Sequence, residues 1–138
     1  MIKQLNHIEI SLYYPKLYQA CFGKPAPKSL PSIVLISEDE NRVYGFSAGF
    51  AFNDETMYIN STGMIPQHRT KKRAARLNKQ CNQVYKQMGF KHLMGHIENT
   101  NKRTIFIALL SGYLITGFRV ASDGKQYVII TQNLAKKC

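Results

Sequence analysis

Acidic residues are scarce in this chain, and one long stretch has none. Its 138 residues include 8 Asp and Glu against 19 Lys and Arg, which gives a formal net charge of +11 at pH 7 and a pI near 9.7. No Asp or Glu occurs from Thr56 to Ile97. This charge balance argues against cationic partners and favours anionic ones, such as nucleotide phosphates, nucleic acid or an acidic surface.

Cysteines and long apolar runs are also rare. Cys21, Cys81 and Cys138 are widely spaced and lack a metal-ligand spacing, so we expect reduced thiols in an intracellular protein. The longest apolar runs, such as Ile105–Leu110, are too short to span a bilayer. Lys, Gln, Asn, His and Glu interrupt Met1–Tyr14, which argues against a signal peptide. We therefore expect a cytoplasmic protein without membrane contact.

The remaining composition is typical of a folded globular chain. Hydrophobic residues make up 44% and charged residues 20% of the sequence, which argues against disorder. We find no repeat, low-complexity tract or convincing linker, and 138 residues suffice for a sizeable core. We therefore expect one domain over residues 1–138. Exposed strand edges in so short a domain make a homodimer plausible.

The N-terminal half is rich in strand signals. The hydrophobic pattern predicts a strand near Ile8–Leu12 and a helix near Pro15–Cys21, followed by a proline-rich loop at Gly23–Ser32. The runs IVLIS and RVYGFSAGFAF, joined by the polar turn EDEN, predict a β-hairpin. TMYINSTGMI predicts another strand, with Gly63 as a candidate bulge.

A long helix follows this strand. Thr70 is suited to cap it, and Gly89 is suited to end it. Its apolar stripe, at steps of three and four, is Ala74, Leu77, Cys81, Val84, Tyr85 and Met88. A strand at His92–Glu98, a short helix at Asn101–Ser111 closed by Gly112, and two strands around a Ser-Asp-Gly turn complete the chain. This order predicts a mixed α/β layer structure.

Cations crowd the start of the long helix, at Arg69, Lys71, Lys72 and Arg73. The positive end of the helix dipole disfavours each of them there by about 0.3–1 kcal/mol. A strand that turns directly into a helix also aims free backbone N–H groups at one point, which favours an anion. Charge-assisted contacts to a pyrophosphate would offset the conflict. The alternative is a solvated basic face, which does not explain why the cations occupy the unfavourable end.

Two motifs carry a resemblance to a known family. The segment MIPQHRTKKRA, Met64–Ala74, resembles the acyl-CoA-binding signature of the GNAT N-acetyltransferase superfamily, with Pro66 and Arg69 at matching positions. The segment NTNKRTIFIALLSGY is similar to a second signature of that family, with matches at Asn101 and Tyr113. The resemblance covers nearly the whole chain. It implies a mixed, mostly antiparallel central sheet of six to seven strands flanked by about four helices.

The resemblance also implies acetyl-CoA as a co-substrate and an N-acetyltransferase activity. The implied coenzyme-binding residues are Met64, Ile65, Arg69, Thr70, Lys71, Lys72, Arg73, Ala74 and Asn101. The family's Asn often contacts the pantetheine arm, whereas an Asn before a helix is also suited to cap it; Asn101 is compatible with both roles. Lys72 departs from the signature, because the family has glycine there.

The usual catalytic pair of the family is not kept. Ala108 stands where many members have a tyrosine acid, and Tyr58 stands where a glutamate base often lies. The candidates that remain are Glu98, Tyr58 and Asn60, where Glu98 is otherwise a surface or capping carboxylate and Tyr58 a half-buried packing residue. His92 and His96 share a strand face without a third ligand, so we expect no metal site.

Three functions remain open. The first is acetyl transfer from acetyl-CoA to an amine by direct attack, with an unidentified acceptor. The second is a GNAT-like protein that binds CoA without turnover. The third is a basic nucleic-acid-binding module, whose affinity would fall steeply with salt. A hybrid, in which the acceptor is a nucleic acid or is bound to one, combines the first and the third.

Overall fold

The computed structural model describes residues 1–40 and 42–135. The strands are β1 (Ile2–Gln4), β2 (Ile33–Asp39), β3 (Arg42–Ala51), β4 (Thr56–Met64), β5 (His92–Glu98), β6 (Leu114–Val120) and β7 (Gln126–Asn133). The helices are α1 (His7–Phe22), α2 (Lys71–Gln87) and α3 (Lys102–Leu110), with a short 3-10 turn at Pro66–His68. None of the helices in these residues is long and apolar enough to cross a membrane.

The strands form one sheet in the order β1-β2-β3-β4-β5-β7-β6. Only β4 and β5 pair in parallel, and every other neighbouring pair is antiparallel. The predicted mixed, mostly antiparallel sheet is therefore confirmed. Within the described residues the sheet is flanked by three α-helices and the 3-10 turn, where we expected about four helices.

The prediction of a strand near Ile8–Leu12 is wrong, because these residues belong to α1. The side chain of Asn6 accepts a hydrogen bond from the N–H of Glu9 at 2.9 Å, and the Glu9 carboxylate accepts one from the N–H of Asn6 at 2.9 Å. This capping box starts the helix. Ile10 and Tyr14, four residues apart, are then buried on one helical face. Apolar residues alternate along Ile8–Leu12, as in a strand, but the capping box makes this segment the first part of a helix.

Predictions of the hairpin and of the helix ends are confirmed. The hairpin of β2 and β3 is present, although its turn residue Asn41 lies outside the described residues. The hydroxyl of Thr70 accepts from the third amide of α2 at 3.0 Å, and the side chain of Asn101 accepts from the third amide of α3 at 3.2 Å. Gly89 and Gly112 follow α2 and α3 with φ of 103° and 96°, the left-handed region that glycine favours.

The helices cover opposite faces of the sheet. On one face, which we call the α1 face, α1 packs against apolar residues of β2 and β3 such as Val34 and Phe46. On the other, the α2 face, Leu77 and Tyr85 of α2 pack against residues such as Leu93. Burial of each such side chain stabilises the fold by about 1.5–3 kcal/mol. The buried residues of α2 are Ala75, Leu77, Cys81, Asn82 and Tyr85.

The predicted stripe of α2 is thus confirmed at its centre but not at its end. Met88, the C-cap residue of the helix, is 39% exposed. Cys21 and Cys81 are buried free thiols, as expected, whereas Cys138 lies outside the described residues. Burial raises the pKa of Cys21 to about 11 and that of Cys81 to about 12, so both thiols stay protonated at neutral pH.

Candidate active site

The candidate site forms where β4 and β5 separate. The two strands pair in parallel only from Thr56 to Ile59 of β4. The next residue, Asn60, is an extra residue in the ladder between β3 and β4, so the bulge lies there and not at Gly63. A bulge bends its strand. Gly49 of β3 permits this close approach, because a Cβ there would collide with the backbone of β4.

A cleft passes through the sheet at this fork. The larger compartment, about 340 Å³, is lined by Tyr18 from the α1 face and by Ala108 from the α2 face. An adjoining compartment of about 290 Å³ reaches the start of α2. Both compartments are lined by Phe22, Thr62, Asn78, Asn101 and Thr104. Residues from both faces of the sheet therefore line one cleft.

Arg69 ties the junction between β4 and α2 to the end of α1. One guanidinium nitrogen, Nη2, donates to the carbonyl oxygen of Cys21 at 2.6 Å and to that of Met64 at 3.2 Å. Arg69 and Met64 both line the smaller compartment. The predicted phosphate ligand is therefore at the cleft, but Nη2 already has two backbone acceptors.

Two other residues of the signature, Ile65 and Thr70, have hydrogen-bond partners within the protein, and a third, Ala74, lines the cleft. The N–H of Ile65 donates to the carbonyl oxygen of Tyr44 at 2.8 Å, and its side chain packs against the α1 cluster. Thr70 caps α2 through the N–H of Arg73. Ala74, one turn further along α2, lines the smaller compartment.

The cations of the first turn of α2 point in different directions. The ammonium of Lys71 lies 5.0 Å from the ring centroid of Phe106 in α3. Lys71 and Lys72 line an open depression on the outer face of α2, and Arg73 lines another with Glu38. Of the predicted coenzyme residues, the structure brings Met64, Arg69, Ala74 and Asn101 to the cleft and leaves Ile65, Thr70, Lys71, Lys72 and Arg73 outside its lining.

The three catalytic candidates lie at different distances from the cleft. Asn60 lines the larger compartment at the bulge. Tyr58 stands beside it on β4, with its ring centroid 5.4 Å from that of His96 and 5.2 Å from that of Phe50. Glu98, at the end of β5, lies outside the lining of both compartments.

Several lining residues were missed by the sequence analysis. Arg103 lines the smaller compartment, and Lys24, His96 and Tyr113 line the larger one. Arg103 follows Asn101 by two residues, so its place beside the second signature was a usable signal. Lys24 and His96 had no such signal, because the fold brings them together from separate parts of the chain.

The charged side chains that line the cleft are cations. It includes Lys24, Arg69 and Arg103 and, among the described residues, no Asp or Glu. Burial raises the pKa of Tyr113, whose hydroxyl donates to Asn82 Oδ1 at 3.5 Å. Residues 1–40 and 42–135 contain no group of three or more His, Cys, Asp or Glu side chains that could hold a metal ion. The positive charge of this lining favours an anion over a cation.

Comparison with known proteins bears on this site. The model of the acetyltransferase (GNAT) family matches residues 4–110, which include β4, the junction, α2, β5 and α3. No curated protein matches the sequence. The matched region contains every element that lines the cleft except β7 and the segment just after α3.

Solved structures share the fold at low sequence identity. Ard1 from Thermoplasma volcanium has a TM-score of 0.77 and 14% identity, covering 99% of this chain and 98% of that one. The ribosomal-protein-S18-alanine N-acetyltransferase of Escherichia coli has 0.75 and 10%, covering 100% and 96%. A GNAT family acetyltransferase from Elizabethkingia anophelis with acetyl-CoA bound has 0.67 and 12%, covering 96% and 98%. With the family model matching most of its length, the chain belongs to the acetyltransferase (GNAT) family.

Proposed function

We propose that the protein transfers the acetyl group of acetyl-CoA to an amine by direct attack of the amine on the thioester. The observation that carries the proposal is the cleft through the sheet at the fork of β4 and β5. In this proposal the thioester enters the cleft from the α2 face and the amine enters from the α1 face. Holding both substrates in one cleft removes the need for a covalent enzyme intermediate.

The phosphates of the coenzyme would lie at the start of α2. The first two amides of that helix belong to Lys71 and Lys72, and the helix dipole favours an anion beside them. Arg103 supplies a side-chain cation in the adjoining compartment. Asn101 lines both compartments while its Oδ1 caps α3. Its Nδ2 would donate to a carbonyl group of the pantetheine arm.

The amine would be positioned on the α1 face. Asn60 lines the cleft at the bulge, and its side-chain amide would hydrogen-bond the incoming amine. Tyr58 lies on the same side of the fork, and Glu98 lies at the end of β5 on that face. The acceptors named for structural relatives include the alanine of a ribosomal protein. We therefore include a peptide N-terminus among the amines to be tested.

A protein that binds acetyl-CoA without turnover is the second candidate. Ala108 favours it, because this buried residue lines the cleft without the hydroxyl that would protonate the leaving thiolate. Direct transfer does not require that hydroxyl, since water can protonate a thiolate. The two candidates differ only in rate.

Thermal unfolding in the presence of acetyl-CoA tests binding. At about 100 times Kd the ligand stabilises the folded state by about 2.7 kcal/mol, so we expect a saturable rise in Tm. Turnover is then measured as thiol release with spermidine, lysine and a short peptide that has a free N-terminal alanine. A rise in Tm with thiol release supports acetyl transfer, and a rise without release selects the second candidate. No rise in Tm contradicts both.

A matched pair of variants, Arg103→Gln and Lys102→Gln, tests where the coenzyme binds. Both remove one positive charge from the first turn of α3, but only Arg103 lines the cleft. We expect Arg103→Gln to raise the Kd of acetyl-CoA about fivefold, which is about 1 kcal/mol, and Lys102→Gln to change it less than about twofold. Equal losses would mean that binding follows net charge alone, and would contradict the assigned site.

A further inference from the structure

His96 stands at the point where β4 and β5 separate. Gly95 is the last β5 residue paired with β4, so His96 is the first beyond the fork, and it lines the larger compartment. Leu93 and Ile97 of β5 belong to the core under α2. Because side chains alternate along a strand, His96 lies on the opposite, α1 face. This is the face from which the amine would enter.

We propose that His96 accepts the proton that the acceptor amine loses during acetyl transfer. The inference rests on the proposed function and adds the group that activates the amine. Among the described residues, the other titratable side chains lining the same compartment are Tyr18, Lys24 and Tyr113. Of these side-chain types, the imidazole is the one whose ordinary pKa lies near neutral pH, which suits a general base.

The surroundings of His96 keep its imidazole neutral. Tyr58 lies edge-on to it, with the ring centroids 5.4 Å apart and the planes at 87°. Burial, and then the positive charge of Arg119, lower the pKa of His96 from its ordinary value of 6.5. At neutral pH the ring therefore carries a free lone pair beside the cleft.

Charged and titratable groups face His96 from several elements. Tyr58 comes from β4, Glu98 from β5, Arg119 from β6, Tyr127 from β7 and Lys24 from the loop after α1. The guanidinium carbon of Arg119 lies 5.0 Å from the ring centroid of Tyr127, and none of the described carboxylates forms a salt bridge with it. Burial raises the pKa of Tyr58, so its phenol stays protonated at neutral pH.

With His96 as the base, the imidazole takes the first proton that the acceptor loses. The ammonium form of the acceptor gives one proton to the imidazole, which passes it to water. The free amine attacks the thioester carbon, so a C–N bond forms and the C–S bond breaks. The nitrogen then gives up a second proton to water, and the CoA sulfur leaves as the thiolate and takes up one proton from water. The products are the amide, CoA thiol and one proton released to solvent.

The test compares the pH dependence of kcat for the wild type, His96→Gln and His92→Gln, with the best amine of the panel. Protonating His96 removes the base, so the wild type keeps its activity above the pKa of His96 and loses it as the pH falls through that value. For His96→Gln we expect kcat near neutral pH to be about 10²–10⁴-fold lower than that of the wild type. As the pH is raised, the kcat of this variant should increase about tenfold per pH unit. In that variant only amine deprotonated by water reacts.

His92→Gln is the matched control. His92 lies on the same strand and face but outside the cleft lining, and we expect its substitution to leave the profile unchanged. The acetyl-CoA-induced rise in Tm should be the same in all three proteins. His96→Asn replaces His96→Gln if the latter does not fold.

Two results overturn the inference. One is a His96→Gln profile that matches the wild type. The other is a loss of kcat at low pH that is absent from Glu98→Gln but still present in His96→Gln. That result would make Glu98 the base. Failure of the proposed function looks different, because then the wild type itself shows no rise in Tm with acetyl-CoA or no thiol release with any amine; the role of His96 falls with it.

Discussion

Arg69 connects three parts of the molecule that are distant in sequence. The carbonyl of Cys21 is one of the last four in α1, which have no partner within the helix, and Arg69 Nη2 donates to it across 48 residues. A cation at a helix C-terminus is also favoured by the helix dipole. The same nitrogen holds the end of β4 through Met64. Arg69, which was predicted to bind phosphate, thus supports the fold without any ligand.

Replacing Arg69 by alanine therefore lowers stability without any ligand. A hydrogen bond to a charged group contributes about 1.5–3 kcal/mol, so we expect Arg69→Ala to reduce the free energy of unfolding by about that amount. Urea denaturation measures the change. Arg73→Ala removes an exposed cation one turn away and should cost less than about 0.5 kcal/mol. Equal stability of the two variants would exclude the anchoring role.

Local interactions explain which residues could be predicted from the sequence. Thr70 and Asn101 cap helices through amides only three residues away, so their roles follow from neighbouring residues alone. The bonds of Arg69 to α1 cannot be predicted in this way, because its partner is set by the packing of α1 on the sheet. The place of His96 in the cleft depends on the fork between two strands, which is also a tertiary feature.

At the scale of elements, a buried polar contact joins α2 to the sheet. The hydroxyl groups of Tyr85 and Ser47 lie 2.8 Å apart, and both residues are buried. Burial raises the pKa of Tyr85 well above its ordinary value, so the phenol stays protonated. A hydrogen bond in such surroundings fixes the position of the helix over β3, since an unpaired hydroxyl there would have no access to water.

Removing one partner should cost more than removing both. We expect Tyr85→Phe to lower the free energy of unfolding by about 1–3 kcal/mol, because the Ser47 hydroxyl is left buried and unpaired. The double variant Tyr85→Phe with Ser47→Ala should recover part of that loss. Chemical denaturation of the wild type, both single variants and the double variant completes the cycle. Strictly additive losses would contradict the coupling between α2 and β3.

Elements were predicted better than the joints between them. The strand β5 and the helix α3 follow from their own hydrophobic patterns and caps. The bulge was expected at Gly63 but lies at Asn60, because its position depends on how β4 pairs with β3. The start of α1 was predicted wrongly, because the capping box of Asn6 and Glu9 starts a helix in the segment where the short alternating pattern indicated a strand. The fork, which creates the candidate site, is a property of strand pairing that no single segment encodes.

The net charge of +11 acts at the scale of the whole molecule. The smaller compartment is lined by Arg69 and Arg103, and the outer face of α2 adds Lys72, Arg76 and Lys79 nearby. A cluster of one sign beside a cleft raises the local concentration of an oppositely charged substrate. Composition predicts an anionic partner, whereas only the fold determines which cations lie beside the cleft.

Acetyl-CoA affinity should therefore depend strongly on ionic strength. Raising the salt concentration from about 0.1 to 1 M shortens the Debye length from about 10 to 3 Å, which screens contacts between exposed charges. We expect the Kd of acetyl-CoA to rise about tenfold over this range, equivalent to about 1.4 kcal/mol. Isothermal titration calorimetry at several KCl concentrations measures the slope of log Kd against log salt.

Two controls separate phosphate binding from a general effect of salt on the protein. S-acetylpantetheine keeps the thioester arm but has no phosphates, so its Kd should change less than about twofold over the same range. Arg103→Gln should flatten the slope for acetyl-CoA, because it removes a cation from the compartment lining. Lys125→Gln, which removes a charge from the turn between β6 and β7, should leave the slope unchanged. A slope shared by acetyl-CoA and S-acetylpantetheine would contradict a coenzyme site built on these cations, since only one of the two ligands carries the charges that they bind.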